Sequence, residues 1–298
     1  MKLSFVIPAY NEERHIGLCL DSIFKELRGT SYDVEVIVVN NASTDRTREI
    51  AARYKEARIV DEPRKGLVWA RRAGFLASTG DLIANIDADT ILPSGWLKKA
   101  FDEFGENQKL IALSGPYILY DLPPTINFFV KTFFFPISFL GYMVNRFILR
   151  GGSMVLGGNY VIRKWALQKI GGYNTEIGFY GEDADISRRA AKLGPVKFTY
   201  KFPIYTSGRR IAKEGAFTMG VRYGANYLSM MIFQRPKTKT YVDVRIENGG
   251  EKLKYEPENK SKEWTIASIT IIILFAIIAG LGFGAYRLGI VIARLLFL

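Results

Sequence analysis

Cysteine and histidine are almost missing: the 298 residues include one of each, Cys19 and His15. A lone cysteine cannot close an intramolecular disulfide, and a cysteine-based zinc site needs more thiolates than one. Nothing therefore requires an oxidising compartment. The lone histidine falls in a stretch with amphipathic helical spacing and reads as a surface residue, so a Ser-His-Asp triad cannot be assembled around a strand-end site. No GxGxxG or Walker A sequence follows a predicted strand, and there is no internal repeat or low-complexity tract. The start, MKLSFVIPAYNEER, lacks the long apolar run and small-residue cleavage site of a signal peptide and reads as a first strand.

What is present bounds the class. A hydrophobic content of 48% excludes a fully disordered chain, and the length suits one large domain or two small ones. Lys and Arg number 41 against 29 Asp and Glu, a formal net charge of +12, which suggests an anionic partner: a nucleic acid, a nucleotide or a membrane surface. The basic residues are dispersed and no recognition-module signature accompanies them, which speaks against nucleic acid. From Trp264 to Tyr286 the chain carries no charge and matches the roughly 20 residues of a membrane helix. We read 264–286 as a single-pass anchor, with a buried soluble helix as the alternative, and 287–298 as a short hydrophobic tail. Lys252, Lys254, Lys260 and Lys262 precede the anchor and Arg287 and Arg294 follow it, so the positive-inside rule expects a cytoplasmic body at the cell membrane.

The first half alternates apolar runs with amphipathic segments, the pattern of an α/β fold with a mostly parallel, Rossmann-like sheet. LSFVI, VEVIVV, ARIV, DLIANI and KLIALS read as successive strands. Ile16, Leu20, Ile23, Phe24 and Leu27 recur at helical spacing, and TDRTREIAARYK, GLVWARRAGFLAS and SGWLKKAFDEFG read as further helices, the first of these opened by the capping residues Ser43 and Thr44. Residues 1–233 then form the main body. Within it, 125–150 is strongly aromatic but interrupted by Lys131, Pro136 and Asn145, and reads as a core helix pair or as interfacial membrane helices. Residues 234–263 are polar and read as a basic linker or β-ribbon.

In such sheets ligands bind at the carboxyl ends of the strands, and PAYNEE, NNASTD and NIDADT all sit there. Asp87 and Asp89 are one residue apart, a costly repulsion unless a cation offsets it; such hard oxygen ligands suit Mg2+ or Mn2+, with a diphosphate completing the shell. The alternative is a turn capped by Asp89 or Thr90. A second acidic cluster, GEDADISRR, puts Glu182 and Asp183 at a helix start, where they could cap the helix or, for Asp183, take a proton from an attacking hydroxyl.

Taken together, FVIPAYNEE, VIVVNNASTDRT, KGLVWARRAGFLASTGDLIANIDADT, GGNYVIRKWALQKIGGY and GEDADISRR, in this order, resemble the family 2 glycosyltransferases of the glycosyltransferase A (GT-A) fold over about residues 1–210. The resemblance implies an inverting transfer of sugar from a nucleotide-diphosphate donor, usually a UDP-sugar, with a divalent metal. It implies nucleotide contacts from Pro8, Ala9, Tyr10 and Glu12, then from Asn40, Asn41 and Asp45, and from Lys65, Gly66 and Arg71. Asp87 and Asp89 match the metal motif, and Asp183, beside Glu182, matches the catalytic base. The family commonly has Asp where Asn40 or Asn41 stands; an amide can donate as well as accept, which bears on base recognition. Arg209 and Arg210 either close over the diphosphate or form a solvated basic loop. The Gln-x-x-Arg-Trp sequence of processive members is missing, which implies addition of one or a few sugars. The anchor and the aromatic stretch point to a lipid or lipid-linked acceptor: a polyprenyl phosphate, a lipid-linked glycan or a glycolipid. The competing class is a catalytically inactive, membrane-associated nucleotide-sugar-binding or scaffold protein.

Overall fold

The structure is a computed structural model that describes residues 1–122, 154–238, 241 and 243–245. The chain divides into two units, Met1–Leu253 and Lys254–Leu298. The expected aromatic stretch, anchor and tail, and most of the expected linker, lie outside the described residues. Among the described residues no helix is long and apolar enough to cross a membrane.

Strands β1 (Leu3–Ala9), β2 (Val34–Asn40), β3 (Ala57–Asp61) and β4 (Leu82–Ile86) pair in parallel, in the spatial order β3-β2-β1-β4. The sheet continues through β8 (Asn159–Arg163), β6 (Ala112–Ser114) and β9 (Val196–Phe198). β8 runs antiparallel to both β4 and β6, so the seven-stranded sheet is mixed but mostly parallel. Direction depends on how the chain reaches a strand, which apolar patterning does not encode. A second sheet of three short strands has the order β5 (Thr90–Ile91), β10 (Ile204–Thr206), β7 (Tyr117–Leu119).

Period-two alternation along β1 divides the core between the two faces of the sheet. Leu3, Phe5, Ile7 and Ala9 join Ile16, Leu20 and Ile23 of α1 (Ile16–Leu27) and Trp96, Leu97 and Phe104 of α4 (Trp96–Glu106). Val6 faces the other way, with Ile37, Val39 and Ile83, towards Val68 and Ala70 of α3 (Leu67–Ala77). The helix expected over 44–55 is only α2 (Thr47–Ala51). Ser43 and Thr44 do not cap it: Ser43 Oγ accepts from the Asn11 amide at 3.2 Å, and the Thr44 amide donates to Asn11 Oδ1 at 2.8 Å. Asp45 takes the free end instead, accepting from Thr47 N at 2.9 Å.

Downstream lie α5 (Lys164–Lys169), α6 (Glu182–Ala190), α7 (Arg209–Glu214) and α8 (Ala216–Phe233). Past α8, in the expected linker, Val244 is 4% exposed and belongs to the first unit.

The chain passes from β1 outward to β2 and β3, then returns to place β4 on β1's other side. The carboxyl ends of β1 and β4 therefore flank the switch point where open α/β sheets bind ligands. Close seating of α3 beneath these strands needs Gly74: a Cβ there would lie 2.3 Å from Val6 Cγ1 and 3.0 Å from Val39 Cγ2. Gly74→Ala should lower stability by about 1–3 kcal/mol through overpacking, read as a lower urea midpoint at unchanged slope. An unchanged midpoint would contradict the tight α3 contact.

Candidate active site

Two strand-end loops knit together first. After β1, Glu12 N donates to Thr47 Oγ1 at 2.7 Å and Glu13 N to Asp45 Oδ2 at 3.1 Å. Asp45, expected at the nucleotide, therefore ties the loop after β1 to the loop after β2. Asn41 is spent likewise. Its Nδ2 donates to the carbonyls of Glu62 and Arg64, at 3.0 and 2.7 Å, and its Oδ1 accepts from Gly66 N at 2.8 Å. A carboxylate could not donate to those two carbonyls, which gives a physical reason for asparagine here. Asn40 Nδ2 donates to Asp61 Oδ1 at 2.8 Å, while its Oδ1 is buried without a hydrogen-bond partner. Asn41 thus forms a clasp that shapes the loop around Lys65 and Gly66.

The turn from β4 to β5 presents Asp87 and Asp89, held by Thr90, whose N and Oγ1 both donate to Asp87 O at 3.1 and 2.7 Å. Arg71 reaches Asp87 from α3, Nη2 to Oδ1 at 3.1 Å, and its Nη1 pairs with Glu182 at the start of α6. Arg71 is 1% exposed. The sequence puts it among donor-lining residues, but the structure commits it to two carboxylates and so joins the two acidic clusters. Burial pushes Glu182 up to about 7 despite Arg71, helped by the like charges of Asp183 and Asp87, and its Oε2 is buried unpartnered. Asp183 is half-buried in the first turn of α6, with Oδ1 accepting from Ala184 N at 2.8 Å, and burial raises it also.

Gly157 and Gly158 make this packing possible. A Cβ on Gly158 would lie 2.1 Å from Asp87 Oδ2, and one on Gly157 2.7 Å from Glu182 Oε1. Gly158 N also donates to Tyr117 Oη at 2.7 Å. The GGN sequence carried this signal; Tyr117 had none.

On the other side of Asp89, β10 pairs antiparallel with β5 and delivers Arg209. Arg209 Nη2 lies 2.5 Å from Glu12 Oε1 and 2.9 Å from Asp89 Oδ2. Glu12 is 3% exposed; burial would raise it, but Arg209, His15 and Arg245 overcome burial and hold it at about 2. Asp89 is pushed up to about 6 by burial against Arg209, with Glu12 and Asp87 adding like charge. His15, expected on a helix surface, instead precedes α1 and lies 3.2 Å from Glu12 Oε2, 22% exposed. Arg210 turns away from the carboxylates to Glu214, at 2.7 Å, and to the ring of Phe179. Of the two arginines expected over a diphosphate, only Arg209 reaches the acidic crevice.

Beside this crevice Pro8, Ala9, Tyr10, Asn41, Lys65 and Gly66 line a cavity whose further walls include Phe179, Tyr241 and Arg245. Lys65 Nζ donates to Tyr10 Oη at 2.6 Å. The last three wall residues had no sequence signal, since they lie in a loop and in the expected linker. No group of three His, Cys, Asp or Glu side chains able to cage a cation occurs among the described residues. The donor set still fits Mg2+ or Mn2+, which bind through one or two carboxylates plus substrate phosphates. Arg71 takes Oδ1 of Asp87 and Arg209 takes Oδ2 of Asp89, so each carboxylate keeps a second oxygen without a side-chain partner among the described residues.

Opposite pH trends follow from these shifts. Glu12, depressed from 4.5 to about 2, contributes stability that is complete above 4.5 and lost as pH falls towards 2. Glu182, raised from 4.5 to about 7, binds more protons folded than unfolded, so stability falls as pH rises from 4.5 to 7. Melting temperatures across that upper window should fall less steeply for Glu182→Gln than for the parent chain. Equal slopes would contradict the buried, charge-crowded setting of Glu182.

Residues 4–171 match the profile described as glycosyl transferase family 2. The uncharacterized glycosyltransferase EpsJ of Bacillus subtilis is 34% identical over 119 residues, 39% of this chain and 34% of that protein. The dolichol-phosphate mannosyltransferase of Pyrococcus furiosus is 32% identical over 228 residues, 74% of this chain and 57% of that protein. The match thus spans less than two thirds of either relative's length. Among solved structures, the mannosyltransferase PcManGT from Pyrobaculum calidifontis, in complex with GDP-Man and Mn2+, has a TM-score of 0.56 at 19% identity, covering 78% of this chain and 63% of that one. Glucosyl-3-phosphoglycerate synthase from Mycobacterium tuberculosis, in complex with Mn2+, UDP-glucose and phosphoglyceric acid, has a TM-score of 0.53 at 21% identity, covering 77% and 79%. At these identities the likeness is one of fold.

Proposed function

The chain belongs to glycosyl transferase family 2 and is a glycosyltransferase, and from that premise we propose that it transfers a sugar, with inversion, from a nucleotide-diphosphate donor to a membrane-associated acceptor. The observation that carries this reading is the convergence of Asp87, Asp89 and Glu182 around Arg71 and Arg209, beside a cavity lined by the loop after β1. Like charges gathered in one crevice cost stability unless a ligand uses them. A nucleoside diphosphate is a ligand that does. Its base and ribose belong against Pro8, Ala9 and Tyr10, and its diphosphate next to Asp87, Asp89 and Arg209.

Asp87 and Asp89 would hold the divalent cation, which when bound neutralises the departing diphosphate. The protein's own groups do the rest. Arg71 fixes the Asp87 and Glu182 carboxylates so that the strand end and the start of α6 keep their spacing. Asp183 takes the proton of an acceptor hydroxyl, and its raised affinity for protons makes it a stronger base than an exposed aspartate. Arg209 can turn from Asp89 to the diphosphate, charge for charge. An acceptor that is itself a phosphate is already ionised and needs no base, so Asp183 separates the two acceptor classes.

The membrane part of the reading rests on the uncharged run from Trp264 to Tyr286 and on the dolichol-phosphate mannosyltransferase among the relatives. Without the processive sequence, addition of one or a few sugars is the economical expectation. The test is release of nucleoside diphosphate by the purified, detergent-solubilised chain from UDP-, GDP- and dTDP-sugars, with Mn2+ or Mg2+ and with EDTA. One donor should be consumed in a metal-dependent way, and Asp89→Ala should abolish that turnover. With a hydroxyl acceptor, Asp183→Asn should lower kcat by about 10²–10⁴-fold. Silence across the donors together with no nucleotide binding would favour the inactive scaffold.

A further inference from the structure

Beyond α8 the chain comes back to the rim of the crevice. Tyr241 stacks on Phe179, with ring centroids 4.7 Å apart and planes at 21°. Val244 is buried, and Lys213 Nζ donates to the carbonyl of Asp243 at 3.0 Å. Asp243 Oδ1 in turn accepts from Arg245 N at 3.1 Å. These contacts aim Arg245 inward: its guanidinium lies 5.0 Å from the centre of the Tyr10 ring, and its Nε is 3.2 Å from Glu12 Oε1.

The space left beside this strap is small. The cavity is about 40 Å³, well below the roughly 300–1,000 Å³ of sites for small molecules. Its charged groups already have partners: Lys65 on Tyr10, Arg245 on Glu12 and Asp243. A nucleoside diphosphate can enter only if the strap shifts and Arg245 leaves Glu12. Glu12 keeps a charged partner when Arg245 leaves, because Arg209 stays on the same carboxylate oxygen. Leaving costs Arg245 one of its two carboxylates, Asp243 staying beside it, and at 22% exposure a second anion offsets that loss.

We propose that Arg245 exchanges Glu12 for the diphosphate of the donor when the strap reseats over the bound nucleotide, which makes it a donor-binding residue of the reaction. The inference rests on the reading of the chain as a nucleotide-sugar transferase. Glu12 then acts as the internal anion that keeps Arg245 and Arg209 in place until the donor arrives. The planar fork of arginine can engage two phosphate oxygens at once, whereas lysine offers a single point charge.

The experiment is calorimetric titration of the full-length chain, its Arg245→Ala and its Arg245→Lys variants with UDP and with GDP, in the presence of Mn2+, alongside their melting temperatures. Arg245→Ala should lower the melting temperature only slightly, because Arg209 still pairs with Glu12, and should bind the recognised nucleotide about ten- to a hundredfold more weakly, the loss of a charge-assisted contact. Arg245→Lys should fall between the two. Equal affinity in Arg245→Ala would overturn the inference and leave the transferase reading standing. Tighter binding would also overturn it, showing that the strap only blocks the pocket. Failure of the parent chain to bind either nucleotide would overturn the donor reading, and this inference with it.

Discussion

Arg71 is the member on which the rest of the site depends. A guanidinium cannot be deprotonated in a protein, so one that is 1% exposed must be paired or the fold pays several kcal/mol. Its partners come from distant parts of the sequence: Asp87 at the end of β4 and Glu182 at the start of α6. Without that cation the two carboxylates would face each other as like charges. With it, the strand-end turn and the helix are tied at one point. The close approach of Gly157 and Gly158, which leaves no room for side chains, belongs to the same constraint.

A second arginine repeats the arrangement on the other side of the crevice, where Arg209 bridges Glu12 and Asp89. The difference between the two is exposure of function. Arg71 is enclosed and bound to carboxylates on both sides, so it holds geometry. Arg209, 12% exposed, shares Glu12 with Arg245, which lines the cavity and has Asp243 as its other carboxylate, so both arginines lie closer to solvent than Arg71 does. The crevice thus stores cations against internal acids in the place where an anionic ligand would otherwise have to recruit them. This also accounts for opposite proton affinities around one crevice, Glu12 held low by surrounding cations and Asp89 and Glu182 held high by burial.

Much of the fold was legible because local pattern and global structure agree. The strands LSFVI, VEVIVV, ARIV and DLIANI alternate or run apolar as buried strands do, and Ile16, Leu20 and Ile23 mark the inward face of α1. The clustering of three polar loops at strand ends was legible for the same reason. What was not legible depends on partners distant in sequence. The direction of β8 depends on the path into it. Asp45 and Asn41 look like ligand contacts from their loop positions, yet their hydrogen bonds go to neighbouring backbone. Arg71 sits at a helical position that could face either way, and only the packing of α3 under the sheet turns it inward. Arg245 lay in a polar stretch where nothing distinguishes one arginine from its neighbours.

On this reading the acidic pair after β4 and the cavity beside Tyr10 together form one nucleotide-diphosphate site. The most direct measurement is a crystal structure of the chain with UDP or GDP and Mn2+, using anomalous scattering to find the metal. The account predicts a manganese peak at Asp87 and Asp89, the base against Pro8–Tyr10, and Arg209 turned from Asp89 to the diphosphate. A metal and nucleotide bound away from these carboxylates, with Arg209 still on Asp89, would contradict it.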